Sequence, residues 1–349
     1  MLSSSPSALS TFLERSTRLF VITGAGCSTE SGIPAYRDAS GEWARKQPVT
    51  WQAFSVDPFM RKRYWARSMV GWRAFGRAQP NAAHVALAKL EQQGRLAGLV
   101  TQNVDGLHQS AGHQAVVDLH GRLDTVVCLD CQVRVLRSHH QRRLEDINPD
   151  WIDLAAARAP DGDAELESDE FDRFHVPPCR HCGGTLKPDV VFFGESVPGE
   201  RVKTAMNWLD GADAMLIVGS SLMVYSGFRY ARHAAERGIP IAALNLGKTR
   251  AEKIVGVTGH QVALHHLRPP RNGRLERLER TLNLLLQPNL NENAHCLPQP
   301  DGVEQGDITA DHPRLFKRSN PRKTGRWRQM DPRGKLDIGE LCIALQLLK

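Results

Sequence analysis

The sequence predicts an α/β fold, in which a doubly wound parallel sheet of the Rossmann-like type is joined by a second, smaller lobe. Three observations support this prediction. Short apolar runs that end in glycine or polar residues recur along the chain, helical stretches separate these runs, and two long segments interrupt the alternation. Strands that alternate with helices favour a parallel sheet that is covered by helices on both faces.

Four apolar runs are the predicted strands of this sheet. They span residues 18–23, 96–101, 214–218 and 239–244. The turns that follow them are Gly24-Ala25-Gly26, Gln102-Asn103, Gly219-Ser220-Ser221 and Asn245-Leu246-Gly247. A helix is predicted over 81–93, where apolar residues recur at helical spacing before Gly94. Ligands of such sheets bind beyond the carboxyl ends of the strands, so the four turns are predicted to form one site.

The predicted organisation has one folded region and a tail. The folded region covers residues 1–290, and its Rossmann-like lobe is built from about 12–35, 80–120 and 190–290. The smaller lobe is assembled from the two insertions at 36–79 and 121–189. Residues 291–349 are rich in Asn, Gln, Pro and basic residues, and we expect them to form a disordered tail.

Composition and charge exclude several classes of protein. The chain has 349 residues, of which 41% are apolar, so neither a disordered chain nor a collagen fits. It has no apolar run of membrane-spanning length, and we expect no membrane partner. The start of the chain lacks an apolar signal segment, which predicts a cytoplasmic protein, with the mitochondrial matrix as the alternative. We expect a monomer.

The net charge of +7 is concentrated in the tail. Residues 314–335 contain nine basic residues and one acid, so the rest of the chain is close to neutral. Nucleic acid is therefore a candidate partner only through this basic tail. The alternative is a solvated tail without a partner.

Two C-x-x-C pairs lie within the second insertion. They are Cys128 with Cys131 and Cys179 with Cys182. Four thiolates complete a tetrahedral zinc site with no open position, which predicts one structural Zn²⁺ and argues against hydrolytic metal chemistry. The separation of the pairs exceeds that of the usual zinc ribbon, so unpaired thiols or a redox pair are the alternative.

The turn after the first strand contains small residues in the spacing G-x-G-x-x-x-x-x-G, from Gly24 to Gly32. A glycine turn between a strand and a helix lets backbone N–H groups approach a phosphate. The spacing differs from the dinucleotide fingerprint of dehydrogenases, and no acid ends the next strand to hold a ribose. A tight structural turn is the alternative interpretation.

An ordered set of motifs gives a specific resemblance. In chain order they are GAGCSTESGIPAYRD (24–38), TQNVDGLHQSAG (101–112), LHG (119–121), the two cysteine pairs, KPDVVFFGE (187–195), GSS (219–221) and NLG (245–247). This order resembles that of sirtuins, the NAD-dependent protein lysine deacylases. The stretches RYWARSMVGW (63–72), QPNAAH (79–84) and APDGD (159–163) resemble the class II branch that contains mitochondrial sirtuin 4 and its bacterial relatives.

The resemblance implies a reaction and its residues. Sirtuins transfer the acyl group of an acyl-lysine to the ribose of NAD, and they release nicotinamide and O-acyl-ADP-ribose. By resemblance the catalytic residues are His120 and Asn103, and imidazole suits proton transfer near neutral pH. The residues implied in NAD binding are Gly24, Ala25, Gly26, Ser28, Glu30, Tyr36, Arg37, Gln102, Asn103, Asp105, Gly219, Ser220, Ser221, Asn245, Leu246, Gly247 and His260.

The resemblance also implies where an acyl-lysine protein substrate binds. Val191, Phe192 and Phe193 match the segment that pairs with the substrate backbone. Tyr64 and Arg67 have the Y-x-x-R spacing of sirtuins that bind acidic acyl groups, where an arginine clamps a carboxylate. The alternative is that Arg67 supports the surface of the smaller lobe.

Two other functions are weighed against deacylation. One is mono-ADP-ribosyl transfer to proteins, which some members of this branch are held to perform. The other is a zinc-stabilised protein that binds nucleic acid through its basic tail, with a vestigial NAD site. A dehydrogenase is disfavoured by the missing ribose acid after the second strand.

Overall fold

The structure of the protein is a computed structural model. It describes residues 6–38, 40–44, 48–154, 157–158, 162–166, 168, 170–252 and 261–263. The predicted tail at 291–349 and His260 lie outside these residues.

The described residues form strands and helices, which alternate in the larger sheet but not in the smaller lobe. The strands are β1 (Leu19–Thr23), β2 (Leu96–Thr101), β3 (Val116–Asp118), β4 (Gly121–Cys128), β5 (Arg134–Leu136), β6 (Ala157–Arg158), β7 (Ala164–Glu165), β8 (Leu186–Val190), β9 (Ala214–Val218), β10 (Ile241–Leu244) and β11 (Gln261–Ala263). The helices are α1 (Pro6–Arg15), α2 (Trp51–Val56), α3 (Pro58–Phe75), α4 (Ala82–Gln92), α5 (Leu107–Ser110), α6 (Arg137–Ile147), α7 (Gly199–Asp210) and α8 (Tyr225–Glu236).

The larger sheet is parallel, with the strand order β11-β10-β9-β1-β2-β3. Every residue of β1 and β9 is buried, as expected for strands that are covered on both faces. Leu19 and Val21 share a core with residues of α1 and α4. Phe20 and Ile22 point to the opposite face, in a core with residues of α7 and α8. These two cores confirm the predicted doubly wound sheet.

The predicted strand boundaries agree with the structure for β2 and β9, β1 begins one residue later than predicted, and β10 differs more. The prediction begins this strand at residue 239, whereas β10 begins at Ile241. The Ile239 N–H instead donates to Ala234 O at the end of α8, over 2.9 Å. Pro240 has no N–H to donate, so regular pairing begins after it.

The Asn81 side chain caps helix α4 and also bonds to the turn after β1. The Asn81 Oδ1 atom accepts hydrogen bonds from the backbone N–H groups of Ala83, over 2.9 Å, and His84, over 3.3 Å. This capping satisfies donors that the helix leaves unpaired. The Asn81 Nδ2 atom donates to Cys27 O, over 2.8 Å, in the turn after β1. One residue therefore both starts α4 and holds that turn.

The smaller lobe contains a separate antiparallel sheet in the order β5-β4-β8. Its core joins the two predicted insertions, and the fully buried rings of Phe54, Trp65 and Phe174 lie in it. Arg137 is also fully buried, with its guanidinium 4.9 Å from the Trp72 ring centre. The fold class predicted from the sequence is thus confirmed. Within the described part of the chain, no helix is long and apolar enough to span a membrane.

Candidate functional site

The turns at the carboxyl ends of β1, β9 and β10 are joined by backbone hydrogen bonds. Gly24 N–H donates to Val218 O over 3.1 Å, and Gly26 N–H donates to Gly219 O over 2.8 Å. Gly219 N–H in turn donates to Leu244 O over 2.8 Å. The turns that the sequence places at one edge of the sheet therefore meet there.

Glycine is required where the first two of these turns touch. Gly219 has a φ of +59°, and a Cβ atom on it would overlap the backbone nitrogen of Cys27. A Cβ atom on Gly26 would lie 2.9 Å from Gly219 O. Residues 25–31 form a 3-10 helix immediately after β1. The turns after β1 (24–26), β9 (219–221) and β10 (245–247) are called the cradle below. No side chains lie at the contact between Gly26 and Gly219 of its first two turns, which fits a site where backbone approaches a phosphate-bearing ligand.

Polar side chains from the turn after β2 line this cradle. Asn103 Nδ2 donates to Gly24 O and to Ser28 Oγ, over 3.0 Å in each case. Ser28 Oγ donates to Asp105 Oδ2 over 2.7 Å. Burial raises the pKa of the Asp105 carboxyl group, although its hydrogen bonds to Leu107 N–H and Ser28 oppose that effect. The predicted residues of this loop are brought together in one network.

The same network extends to the turn after β9. Gln102 Nε2 donates to Ser220 Oγ over 2.7 Å and to Thr23 O over 3.2 Å. Ser221 O accepts from Arg250 N–H over 2.8 Å. Further along the edge, Asn245 Nδ2 donates to Gly247 O over 2.8 Å. The carboxyl ends of β1, β2, β9 and β10 thus present their polar groups side by side.

His120 lies at the junction of β3 and β4 with both ring nitrogens hydrogen-bonded. Its Nδ1 atom is 3.0 Å from Gln102 O, and its Nε2 atom is 2.8 Å from Ser226 Oγ. A carbonyl oxygen only accepts, so Nδ1 carries the proton and Nε2 accepts from the serine hydroxyl. Burial lowers the pKa of His120 to about 4; the Gln102 bond raises it, while Arg201 and Arg229 lower it. The imidazole is therefore neutral at physiological pH, and its Nε2 atom has a lone pair that can accept a proton.

The backbone fixes the position of this histidine. Gly121 follows it with a φ of +82°, and a Cβ atom there would overlap Asp189 O. His120 O accepts from Val191 N–H over 2.8 Å. The crossing from the larger sheet to the smaller one therefore holds His120 against the segment that follows β8.

That segment, Val191 to Phe193, is one of the predicted substrate contacts. Phe192 is buried, and its ring centre lies 5.3 Å from that of Tyr64. Phe193 O accepts from Trp51 N–H over 2.8 Å. The segment thus runs between His120 and the start of α2.

Two aromatic residues pack against Phe193. The ring centres of Tyr36 and Trp43 lie 6.3 and 5.5 Å from that of Phe193. The Arg37 guanidinium lies 4.3 Å above the Trp43 ring, and its Nη1 atom donates to Gly41 O over 2.8 Å. The predicted NAD residues Tyr36 and Arg37 are thus placed beside the predicted substrate segment.

The Y-x-x-R pair on α3 has an acidic neighbour. Arg67 Nε is 3.0 Å from Asp163 Oδ2 and 3.1 Å from Asp163 Oδ1, and both side chains are largely buried. Tyr64 is 4% exposed, and its ring packs against those of Phe54 and Phe192. Arg67 is therefore already paired with a carboxylate from the second insertion.

The four cysteines of the C-x-x-C pairs converge. Their sulfur atoms lie within 4.8 Å of one another, with Cys128 Sγ 3.5 Å from Cys182 Sγ and Cys131 Sγ 3.8 Å from Cys179 Sγ. The two C-x-x-C loops have the same backbone hydrogen bond, from the residue after the second cysteine to the carbonyl of the first. Cys128 O accepts from Gln132 N–H over 3.0 Å, and Cys179 O accepts from Gly183 N–H over 2.9 Å. Gathered thiolates of this kind fit a tetrahedral Zn²⁺, with no position left open for a substrate.

Several residues of these networks were not identified from the sequence. Ser226, Asp163 and Trp43 each contact a predicted residue from a distant part of the chain. Asp163 ends the APDGD stretch, which supported the resemblance but did not indicate a contact with Arg67. Ser226 follows the Gly219-Ser220-Ser221 turn and lies in the first turn of a helix, a signal that could have identified it. The remaining predicted residues are placed in the turns described above, except His260, which lies outside the described residues.

Comparison with known proteins gives consistent matches. The Sir2 family model matches residues 24–226. An NAD-dependent protein deacetylase of Xanthomonas campestris pv. campestris (strain 8004) is 61% identical over 254 residues, which are 73% of this chain and 87% of that protein. NAD-dependent protein deacetylase 2 of Bradyrhizobium diazoefficiens is 60% identical over 248 residues, 71% of this chain and 91% of that protein.

Solved structures agree with the sequence matches. A structure described as Sir2 with a p53 peptide and NAD⁺ has a TM-score of 0.58 at 27% identity, and the match covers 80% of this chain and 98% of that one. A structure of Sir2Tm bound to a propionylated peptide has a TM-score of 0.58 at 26% identity, and the match covers 80% of this chain and 97% of that one.

Proposed function

The chain belongs to the Sir2 family, and on this premise we propose that it is an NAD-dependent protein lysine deacylase. The observation that carries the proposal is the placement of His120, whose Nδ1 atom bonds to Gln102 O beside the glycine cradle and whose backbone carbonyl accepts from Val191 N–H at the start of the Val191–Phe193 segment. NAD, when bound, supplies a ribose carbon that takes the acyl oxygen as nicotinamide leaves. The names of the relatives favour deacylation over mono-ADP-ribosyl transfer.

The cradle is the proposed NAD site. The contact between Gly26 and Gly219 is made without side chains, so the two turns approach each other closely at the edge of the sheet where the phosphate-bearing ligand is proposed to bind. The side chains proposed to hold the ribose and nicotinamide ends are Gln102, Asn103 and Asp105, with Tyr36 and Arg37 beside them. Ser220, Ser221, Asn245 and Leu246 are proposed to contact the adenosine end. Asn103 is proposed as the second catalytic residue, because its amide already joins the two turns and orders the site.

His120 is the proposed general base. Its Nε2 atom has a lone pair because Nδ1 donates to Gln102 O. A ribose hydroxyl that enters the site takes the place of Ser226 Oγ at Nε2 and passes its proton to the ring. The bond from Nδ1 to Gln102 O holds the ring in place and stabilises the charged form.

Acyl-lysine proteins are the proposed substrates. The Val191–Phe193 segment lies beside His120 and is flanked by the aromatic side chains of Tyr36 and Trp43. An extended segment at this place can pair with a substrate backbone and present an acyl-lysine to His120, with little demand on the flanking sequence. The cysteine cluster is proposed to hold one structural Zn²⁺ per chain, because four sulfur atoms leave no open position.

Other features of the protein stay predictions. The basic tail lies outside the described residues, and nucleic-acid binding through it is a prediction. The monomeric state, the cytoplasmic location and the class II branch are also predictions.

The proposed function is tested by nicotinamide release. The full chain is incubated with NAD and with acetyl-, lipoyl-, succinyl- and glutaryl-lysine peptides, each beside its unmodified lysine control. We expect release that requires the acyl group, with O-acyl-ADP-ribose found by mass spectrometry. Release on protein substrates that instead adds the mass of ADP-ribose to the protein would favour the transferase.

The ion pair between Arg67 and Asp163 gives a prediction about the acyl group. We expect Arg67→Met to lower activity on succinyl and glutaryl peptides by about 10-fold or more relative to acetyl, because a carboxylate loses its bidentate partner. Asp163→Asn keeps an acceptor for Ala164 N–H, which donates to Asp163 Oδ1 over 2.8 Å. It removes the competing charge, so this variant should shift preference toward the acidic acyl groups. If Arg67→Met lowered activity equally on every peptide, Arg67 would have a structural role in the smaller lobe and no role in acyl recognition.

A further inference from the structure

A second group of metal-binding side chains lies behind the cradle. Cys27, His84 and His108 each place one donor atom within 4.8 Å of the other two, and their exposed fractions are 0%, 0% and 1%. They come from three elements: the 3-10 helix after β1, helix α4 and helix α5. This group shares no residue with the four-cysteine cluster.

One nitrogen of each histidine is fixed by the protein. His84 Nδ1 lies 2.9 Å from Asn81 Oδ1, and His108 Nε2 lies 2.9 Å from Thr23 Oγ1. The opposite nitrogens, His84 Nε2 and His108 Nδ1, are buried and have no hydrogen-bond partner among the described residues. A hydrogen bond to one ring nitrogen that leaves the other for an ion is the usual arrangement of metal-binding histidines.

Unpartnered buried nitrogens are costly, and this cost points to a ligand. A buried polar atom without a partner has lost its hydrogen bonds to water and has gained none from the protein. The ring centres of the two histidines are 4.7 Å apart, and the rings are tilted at 58° rather than stacked. A bound ion would engage both orphaned nitrogens and the Cys27 sulfur at once.

The donor set selects the ion. One thiolate and two imidazoles suit copper and zinc among the common metals. Zn²⁺ prefers four ligands, and with one thiolate it would leave a net positive charge in a fully buried place. Cu⁺ with one thiolate is neutral, and one soft thiolate with two imidazoles is enough to fill its coordination. We propose that Cys27 Sγ, His84 Nε2 and His108 Nδ1 form a binding site for one Cu⁺ ion. Binding releases the thiol proton to solvent and leaves the oxidation state of copper unchanged.

The site is placed to act on the cradle. Cys27 lies between Gly26, which bonds to Gly219 O, and Ser28, which bonds to Asp105. An ion held by Cys27 therefore links the proposed NAD turn to α4 and α5. Binding of copper can be tested without any assay of deacylation, so the proposal stands or fails separately from the proposed function.

The test is a titration of the zinc-loaded full chain with Cu⁺ under anaerobic conditions, against a chromogenic Cu⁺ chelator. Zinc release is followed in the same samples with a zinc indicator, because Cu⁺ also binds cysteine clusters. We expect one Cu⁺ per chain with zinc retained. Cys27→Ser should weaken that binding by about 100-fold or more, beyond the loss seen when only a supporting group is removed. His140→Gln is the matched control, since His140 is another buried histidine with unpartnered nitrogens and lies in the smaller lobe.

X-ray absorption at the copper edge of the wild-type protein decides the question even where a variant does not fold. One sulfur and two nitrogen ligands support the site. Copper with sulfur ligands only, zinc released in step with copper, equal affinity in Cys27→Ser, or no tight binding beyond the cysteine cluster would each overturn it. Uptake of a second Zn²⁺ in preference to Cu⁺ would overturn the choice of ion.

Discussion

Replacement of His120 by alanine is expected to lower kcat/KM for deacylation by about 100- to 10,000-fold, the range that general-base catalysis contributes. The variant removes the Nε2 atom that is proposed to accept the proton, together with the ring that bridges Gln102 O and Ser226 Oγ. The larger sheet is expected to stay folded, because its two cores do not depend on His120. Nicotinamide release on the acetyl-lysine peptide measures the loss, and circular dichroism measures the fold.

A second histidine variant serves as the control. His233 is a partly exposed residue of α8, the helix that also contains Ser226, and its ring pairs with Asp210 over 2.8 Å. His233→Ala should retain activity within about 3-fold, since surface substitutions away from a site change stability little. If His120→Ala kept activity comparable to this control, another residue would have to be the base.

Loss of the proposed zinc ion is expected to lower both the stability and the activity of the protein strongly. Cys128 and Cys179 lie in the core of the smaller lobe together with Trp65 and Trp151. The binding energy of a structural Zn²⁺ is part of the folding energy of the region that holds it. We expect Cys179→Ser to lose the zinc, to lower the melting temperature by about 10 °C and to abolish deacylation, because β8 leads directly into the Val191–Phe193 segment.

The zinc prediction is measured by metal content, tryptophan fluorescence and activity on the same samples. Cys27→Ser is a matched cysteine control, because Cys27 is buried in the other lobe and lies outside the four-sulfur cluster. It should retain one zinc per chain. A Cys179→Ser protein that retained both its melting temperature and its activity would show that the cluster contributes little to the lobe.

The sequence predicts the edge of the sheet well because the signals there are local. Each apolar run and the turn after it are contiguous, so parallel strands alone bring Gly24, Gln102 and Gly219 together. The cysteine pairs are likewise visible as two short motifs. In contrast, the bond between Ser226 and His120 joins residues that are 106 positions apart, and Arg67 pairs with Asp163 across 96 positions. Such pairs depend on how the insertions pack, which no local pattern encodes.

The buried histidines show the same limit in a different way. His84 is predicted to lie on a helix and His108 in a loop motif, and each is unremarkable within its own segment. Their proximity to Cys27 follows from the packing of α4 and α5 behind the turn after β1. Residue type and spacing identified the four-cysteine cluster, but they could not identify a cluster whose members are single residues of three elements.

The double task of Asn81 restricts how this protein can change over evolution. Aspartate or serine at this position could still cap α4, but neither offers the amide N–H that reaches Cys27 O. Substitutions of Asn81 that strengthen the cap of α4 would thus remove the bond to Cys27 O and loosen the cradle. Natural selection on helix stability and natural selection on the site would therefore act on the same residue. Adaptation to higher temperature in this part of the molecule is expected to proceed through neighbouring residues, while asparagine persists at the helix start.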